Sequence, residues 1–83
     1  MALSPDQIRS KIKELLPDAE IDLRDTTGGG DHFEAAVVSA AFAGKGLVER
    51  HRMVYAALGD AMKSDIHALS LTTQTPDERR SSR

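Results

Sequence analysis

Three histidines carry the coordination chemistry that is available to this chain of 83 residues. His32 follows a run of glycines, His51 lies in a segment with helical periodicity, and His67 precedes an apolar run. The chain contains no cysteine, which excludes a disulfide framework, a thiolate zinc site and a cysteine nucleophile. Imidazole is therefore the side chain best suited to bind a transition metal here.

Two histidines do not close a metal site by themselves. A structural zinc site takes four protein ligands, and this chain lacks the cysteines to complete the set. Two imidazoles can, however, ligate one iron of a [2Fe–2S] cluster, as in Rieske-type centres, if the other ligands come from another molecule. We interpret His32 and His67 either as ordinary, partly exposed histidines or as ligands of such a shared cluster. His51 lies on an apolar stripe and is expected to be packed and hydrogen-bonded.

Catalytic and nucleotide-binding motifs are missing from the sequence. The glycines at 28–30 precede a predicted strand rather than a helix, and no lysine with serine or threonine follows them as in a phosphate-binding loop. There is no G-x-S-x-G motif, and so short a chain leaves little room for an oxyanion hole. Acidic residues beside His32 and His67 are neighbours in sequence only. We therefore expect a protein that is not an enzyme.

The charge balance bears on nucleic-acid binding. The chain has 11 Lys and Arg against 13 Asp and Glu, a formal net charge of −2, whereas proteins that bind phosphates usually carry a positive excess. Lys45, Arg50 and Arg52 nevertheless form a local basic patch. This patch is either a solvated helix face or a small DNA-contacting surface, with few phosphate contacts in the second case.

The chain has no stretch approaching the roughly 20 apolar residues that span a bilayer. Its first residues also lack the basic and apolar regions of a secretory signal. We therefore expect a soluble cytoplasmic protein that does not act on a membrane.

Local patterns predict the elements that position these residues. Ser4 followed by Pro5 and Gln7 is typical of a helix N-terminus, and Pro17 ends the apolar stripe that begins there. Glycines at 28–30 separate two segments that alternate as strands do. The predicted elements are a helix with the stripe Ile8, Ile12, Leu15 and Leu16, strands 19–26 and 32–39, a helix over 47–63 interrupted by Gly59, a strand 66–75, a short helix from 76, and a polar tail 79–83.

The second helix should pack against the sheet through one face. Its predicted stripe comprises Leu47, His51, Val54, Tyr55, Leu58 and Met62. Phe42 is the large apolar anchor of the connector 40–46. The order α-β-β-α-β, with both helices on one face of a three-stranded sheet, predicts a two-layer α+β domain.

Three ordered runs resemble the BolA-like proteins, and with the N-terminal helix and the strand end at 25–27, which also fit the family, the resemblance covers nearly the whole chain. The three runs are F-E-A-A-V-V-S-A-A-F-A-G-K at 33–45, E-R-H-R-M-V-Y-A-A-L at 49–58 and I-H-A-L-S-L-T-T-Q-T-P-D-E at 66–78. The resemblance implies a class II KH-like α+β fold, in agreement with the order of elements above. It also implies a single domain over 1–78, followed by the tail 79–83.

The same resemblance implies a partner and a cofactor. BolA-like proteins form a heterodimer with a monothiol CGFS-type glutaredoxin, bridged by a glutathione-ligated [2Fe–2S] cluster. The C-terminal histidine ligand of the family matches His67. The second ligand is a cysteine or histidine of the hairpin loop, and here His32 is the candidate. His51 matches the histidine of the family's R-H-R block and is interpreted as structural or interface-forming.

Some BolA-like proteins regulate transcription, and the resemblance places their DNA contacts on the second helix and the strand after it. In this chain, Lys45, Arg50 and Arg52 would make those contacts. Three hypotheses follow from the sequence. They are an adaptor in iron–sulfur cluster assembly, trafficking or iron regulation; a DNA-binding regulator; and a scaffold that binds its partner without metal.

Overall fold

The described part of the chain contains three helices and three strands, in the predicted order. The computed structural model describes residues 4–26, 28, 32–59 and 68–81 of the chain. The elements are α1 (Pro5–Leu15), β1 (Glu20–Asp25), β2 (His32–Val38), a 3₁₀ turn (Ala40–Phe42), α2 (Leu47–Leu58), β3 (Ala68–Gln74) and α3 (Pro76–Ser81). The predicted α+β class with a three-stranded sheet is confirmed.

The first helix begins where its sequence signature predicts. Ser4 Oγ accepts a hydrogen bond from the Gln7 amide at 3.2 Å, and the Ser4 amide donates to Gln7 Oε1 at 2.8 Å, a reciprocal capping box. Ile8 and Ile12 are fully buried. Leu15 is exposed, contrary to the predicted stripe, although it lies only about 20° around the helix axis from Ile8, so its direction on the helix does not account for the exposure.

The sheet has the order β1-β2-β3, with β2 in the centre. β1 runs antiparallel to β2 and β3 runs parallel to it. Along β2, Phe33, Ala35 and Val37 are buried while Glu34 is exposed. This alternation is that of a strand with one face against a core, and α1 and α2 cover that face. The predicted two-layer arrangement is therefore confirmed.

The second helix is shorter than predicted. It ends at Leu58 rather than near residue 63, because Gly59 adopts a positive φ of 55° and its amide bonds to the Tyr55 carbonyl at 2.9 Å. Residues 60–67, which include Met62 of the predicted stripe, lie outside the described residues. Val54 and Leu58 are buried as predicted.

Two other members of the predicted stripe are not buried. Leu47 is 65% exposed and Tyr55 is 38% exposed. Val48 and Glu49, the neighbours of Leu47 in the first turn, are exposed too, which indicates that this end of α2 extends past the core. Helical periodicity gives the direction of a side chain but not how far the covering layer reaches.

The connector between β2 and α2 is held by Asp18, which lies in the turn after α1. Ser39 Oγ donates to Asp18 Oδ1 at 2.7 Å, and the Ala40 amide donates to Asp18 Oδ2 at 2.8 Å. These two donors lower the pKa of the Asp18 carboxyl. Phe42 is fully buried, so its predicted role as the anchor of the connector is confirmed.

The third helix also starts with a capping box. The Glu78 amide donates to Thr75 Oγ1 at 3.1 Å, and the Thr75 amide donates to Glu78 Oε1 at 2.9 Å. The helix continues to Ser81, so residues 79–81 of the predicted polar tail are helical. Arg79 Nη1 bonds to Glu20 Oε2 of β1 at 2.9 Å, which ties this last segment to the sheet. The domain boundary at residue 78 stays a prediction.

We expect Glu78 to make the stability of the domain depend on pH in the acid range. Hydrogen bonds from Arg50 and from the Thr75 amide lower the pKa of Glu78 from 4.5 to about 2. Because the pKa is lower in the folded chain, the stabilisation is complete above pH 4.5 and is lost as the pH falls towards 2. Urea midpoints of the wild type and of Glu78→Gln should therefore differ at pH 6 and converge near pH 2.

Glu14 is an exposed glutamate of α1, and Glu14→Gln is the matched control: its urea midpoint at pH 6 should stay close to that of the wild type. A midpoint difference for Glu78→Gln that stays constant down to pH 2 would contradict the role given to the Glu78 carboxylate.

Candidate functional site

His32 is the first residue of β2, and its backbone closes the hairpin. The Thr26 amide and Thr26 Oγ1 donate to the His32 carbonyl oxygen at 3.0 and 3.3 Å. The side chain is half-buried. Because Phe33 points into the core, alternation along the strand places His32 on the opposite face of the sheet, away from α1 and α2.

His67, the other predicted ligand, lies outside the described residues. Its successor in the chain, Ala68, is the first residue of β3 and is the Cα partner of His32 in the parallel register of β2 and β3. The structure therefore places one of the two predicted ligands at the sheet end where both strands begin. The described part of the chain holds no group of three or more His, Asp or Glu side chains arranged to bind a metal.

His51 is half-buried in the middle of α2 and packs against an aromatic ring. Its ring meets Tyr55 edge-on, with centroids 6.3 Å apart and an interplanar angle of 83°. Packing of His51 was predicted, but the predicted hydrogen bond is missing at Nε2, which is buried without a partner among the described residues. His51 is therefore placed as a packing residue of the helix.

Arg50 of the predicted basic patch is used inside the fold. Its Nη1 and Nη2 donate to the two carboxylate oxygens of Glu78 at 2.6 and 3.1 Å, and its Nε donates to the Lys45 carbonyl at 2.9 Å. The guanidinium carbon lies 6.0 Å from the centroid of the Phe42 ring, and only 13% of the side chain is exposed. This bidentate pair raises the pKa of Arg50 and joins α2 to α3.

The other two residues of the patch, Lys45 and Arg52, are exposed. Two of the three cations in the predicted DNA-contacting patch are therefore exposed to solvent. No local pattern predicted the contact of Arg50 with Glu78, because the two residues are 28 positions apart.

The face of the sheet opposite α1 and α2 carries a shallow polar hollow of about 230 Å³. Asp22, Arg24, Glu34, Ser70 and Thr72 are among the residues that line it. No sequence motif marks this hollow, although the alternation along each strand assigns its polar residues to one face. Since His32 shares this face with Glu34, the predicted ligand lies on a polar, accessible side of the molecule.

Comparison with known proteins places the chain in a family. The sequence model described as BolA-like protein matches residues 11–78. The chain is 38% identical over 80 residues to BolA-like protein 1 of Homo sapiens, covering 88% of this chain and 58% of that protein. It is 44% identical over 78 residues to Protein BOLA2 of Arabidopsis thaliana, covering 92% of this chain and 83% of that protein.

A third relative is much longer than this chain. SufE-like protein 1, chloroplastic/mitochondrial, of Arabidopsis thaliana is 37% identical over 87 residues, covering 87% of this chain but 24% of that protein. The chain thus spans about a quarter of this relative and little more than half of the human one.

None of the described helices is long and apolar enough to cross a membrane.

Solved structures agree with the sequence comparison. A bolA protein homologue from Coxiella burnetii has a TM-score of 0.80 and 42% identity, covering 94% of this chain and 97% of that one. The BolA domain of SufE1 from Arabidopsis thaliana has a TM-score of 0.80 and 40% identity, covering 93% and 99%. Fold and sequence lead to one assignment: this chain belongs to the family of BolA-like proteins.

Proposed function

We propose that this chain is a non-enzymatic adaptor of the cytoplasm that acts in iron–sulfur cluster assembly, trafficking or iron regulation. In this proposal it pairs with a monothiol CGFS glutaredoxin, and His67 and His32 donate imidazoles to a [2Fe–2S] cluster shared with the glutaredoxin and glutathione. Membership in the BolA-like family supports the proposal, because this partnership is what the family resemblance implies.

The observation that carries the proposal is the position of His32. It begins β2 on the side of the sheet without α1 and α2, and its Cα is registered with Ala68, which directly follows His67 in the sequence. Parallel strands begin at the same end of a sheet. The two proposed ligands therefore belong to adjacent strand beginnings.

The donor chemistry fits a shared cluster better than a site closed within the chain. The chain has no cysteine, and its described part has no cluster of three possible ligands. Two imidazoles leave half of the ligands of a [2Fe–2S] cluster to be supplied by thiolates from outside. Neutral imidazoles in place of anionic thiolates make such a cluster less negative, which raises its reduction potential.

The chain's contribution is to hold the His32 donor in place before the partner arrives. Hydrogen bonds from Thr26 to the His32 carbonyl, and the pairing of β2 with both neighbouring strands, restrain the backbone at this position. Ordering a ligand costs free energy at the moment of binding, so a donor that is already restrained binds more tightly.

The experiment adds the apo-protein to a CGFS glutaredoxin loaded with a [2Fe–2S] cluster and glutathione, followed by visible absorption and circular dichroism. We expect a changed cluster spectrum that saturates at about one chain per glutaredoxin. His67→Ala should abolish the change, and His32→Ala should weaken it or abolish it. His51→Ala is the matched control, since it removes a histidine that packs on Tyr55, and it should behave like the wild type.

Two outcomes would overturn the adaptor. Binding to the glutaredoxin without any spectral change would indicate a metal-free scaffold. A spectral change that survives in the His67→Ala, His32→Ala double variant would show that neither histidine is a ligand.

The DNA-binding regulator is the alternative, and the structure does not favour it. Arg50 is paired with Glu78, which leaves Lys45 and Arg52 as the exposed cations of the patch. So few phosphate contacts predict binding that is lost with a modest rise in salt. Retention of a duplex of defined sequence at about 200 mM salt, reduced in Lys45→Ala and Arg52→Ala, would favour this function instead.

A further inference from the structure

The two edges of the sheet differ sharply in charge. β1 carries four charged residues among its six, namely Glu20, Asp22, Arg24 and Asp25. β3, the opposite edge, carries none among its seven. Natural proteins commonly protect edge strands with charges, prolines or bulges, because the unpaired amides and carbonyls of an edge accept a further strand. One edge of this sheet is protected in that way and the other is not.

The β3 edge is also long and regular. Its register with β2 runs without a break from Ala68 to Gln74, so it contains no bulge. Proline is absent from it. Within the part of the chain that the structure describes, β2 is its only strand partner. Among the described residues, a continuous row of backbone groups therefore has no strand partner along the other side of β3.

The apolar side chains of β3 are covered incompletely. Leu69 and Leu71 point towards the core but are only half-buried, whereas Ala35 beside them on β2 is buried. A strand added next to β3 would remove further apolar surface of both leucines from water, which is favourable.

We propose that this edge pairs with β3 of a second copy of the same chain, antiparallel about a two-fold axis at Leu71. In that register Ser70 of each copy faces Thr72 of the other on the polar side of the sheet. Serine and threonine form favourable cross-strand pairs. An uncharged strand meets itself without electrostatic repulsion.

The geometry also explains why the assembly stops at two chains. A two-fold contact uses the same surface of both copies, so both β3 edges are consumed when the dimer forms. The outer edges of the resulting six-stranded sheet are the two β1 strands, which are charged. The pairing therefore closes as a dimer and does not propagate into a filament.

The test is the oligomeric state of the full chain, measured by sedimentation equilibrium over a range of protein concentrations. We expect a reversible monomer–dimer equilibrium in the wild type. The Ser70→Lys, Thr72→Lys double variant sets lysine opposite lysine twice in the proposed register. It should raise the concentration needed for dimerisation about tenfold or more.

The matched control changes the same two positions. Ser70→Lys, Thr72→Glu sets lysine opposite glutamate twice, and it should dimerise like the wild type or better. Each variant should fold even as a monomer, because residues 70 and 72 are exposed. A lysine at position 70 would also lie beside Glu34, its partner in the register with β2. Far-UV circular dichroism verifies the folding of each.

Amide hydrogen exchange gives a readout that reports on the strand itself. The β3 amides that do not bond to β2 should gain protection as the protein concentration rises. A wild type that is monomeric at every concentration, or a dimer that the two double variants weaken equally, would overturn the proposal. If the wild type is monomeric at every concentration, an extended segment of a different protein becomes the candidate partner for the β3 edge.

Discussion

Phe42→Ala is expected to lower the free energy of unfolding by about 3–5 kcal/mol. The side chain is fully buried, and it fills the junction between the 3₁₀ turn and α2, where the Arg50 guanidinium lies 6.0 Å from its ring centroid. Truncation removes apolar contacts and leaves a cavity that the surrounding backbone cannot collapse to fill. Because small domains have a free energy of unfolding of only about 5–15 kcal/mol, Phe42→Ala would remove a large part of the stability of this domain.

Chemical denaturation at neutral pH measures this effect. Leu47→Ala is the control, since it removes a side chain of similar apolar character that is 65% exposed, and it should change the stability by less than about 0.5 kcal/mol. Phe42→Leu should fall between the two. Equal losses for Phe42→Ala and Leu47→Ala would contradict the burial on which the prediction depends.

Asp18→Ala is expected to destabilise the domain by about 1–2 kcal/mol. Asp18 is the acceptor for the Ser39 hydroxyl and the Ala40 amide, and Ser39 is buried. Without the carboxylate, the Ala40 amide and the buried Ser39 hydroxyl both lose the acceptor to which they donate. This loss is smaller than that for a fully buried charged hydrogen bond, because Asp18 itself is exposed to solvent.

Asp18→Asn separates charge from hydrogen bonding. Both oxygens of Asp18 accept, whereas asparagine would turn an NH₂ group towards one of the two donors. Asp18→Asn should therefore lose nearly as much stability as Asp18→Ala. A stability for Asp18→Asn equal to the wild type would show that one acceptor is enough.

Family membership and the proposed function have different foundations. The fold and the family are supported along most of the chain, by a sequence model over residues 11–78 and by solved structures that cover more than nine-tenths of it. The cluster proposal depends on two side chains, one of which lies outside the described residues. The glutaredoxin titration is therefore the experiment that decides what this BolA-like chain does.

Local sequence determined the type and order of the elements. Ser4 and Gln7 form a capping box at the predicted start of α1, and Ile8 and Ile12 form its buried face. These features succeed as predictors because each depends on residues within one or two turns of one another. The family resemblance came from the sequence in the same way, through contiguous runs of residues.

Tertiary structure decided which charged and polar side chains meet. Asp18 with Ser39 is separated by 21 positions, Arg50 with Glu78 by 28, and Arg79 with Glu20 by 59. No local pattern encodes such pairs, because they depend on the sheet register and on the angle at which α2 and α3 leave it. For that reason no sequence pattern indicated that Arg50, a predicted DNA contact, also links α2 to α3 through Glu78.

Burial at the ends of helices was likewise a tertiary property. The periodicity of α2 gave the correct direction for Val54 and Leu58 but also assigned Leu47 and Tyr55 to the core, where the structure exposes them. Sequence alone determined which face of each element is apolar. Tertiary structure decided how much of that face another layer covers, because coverage depends on the neighbouring elements and not on the strand or helix itself. It also decided which strands lie at the edges of the described sheet, since this depends on how β1, β2 and β3 pair.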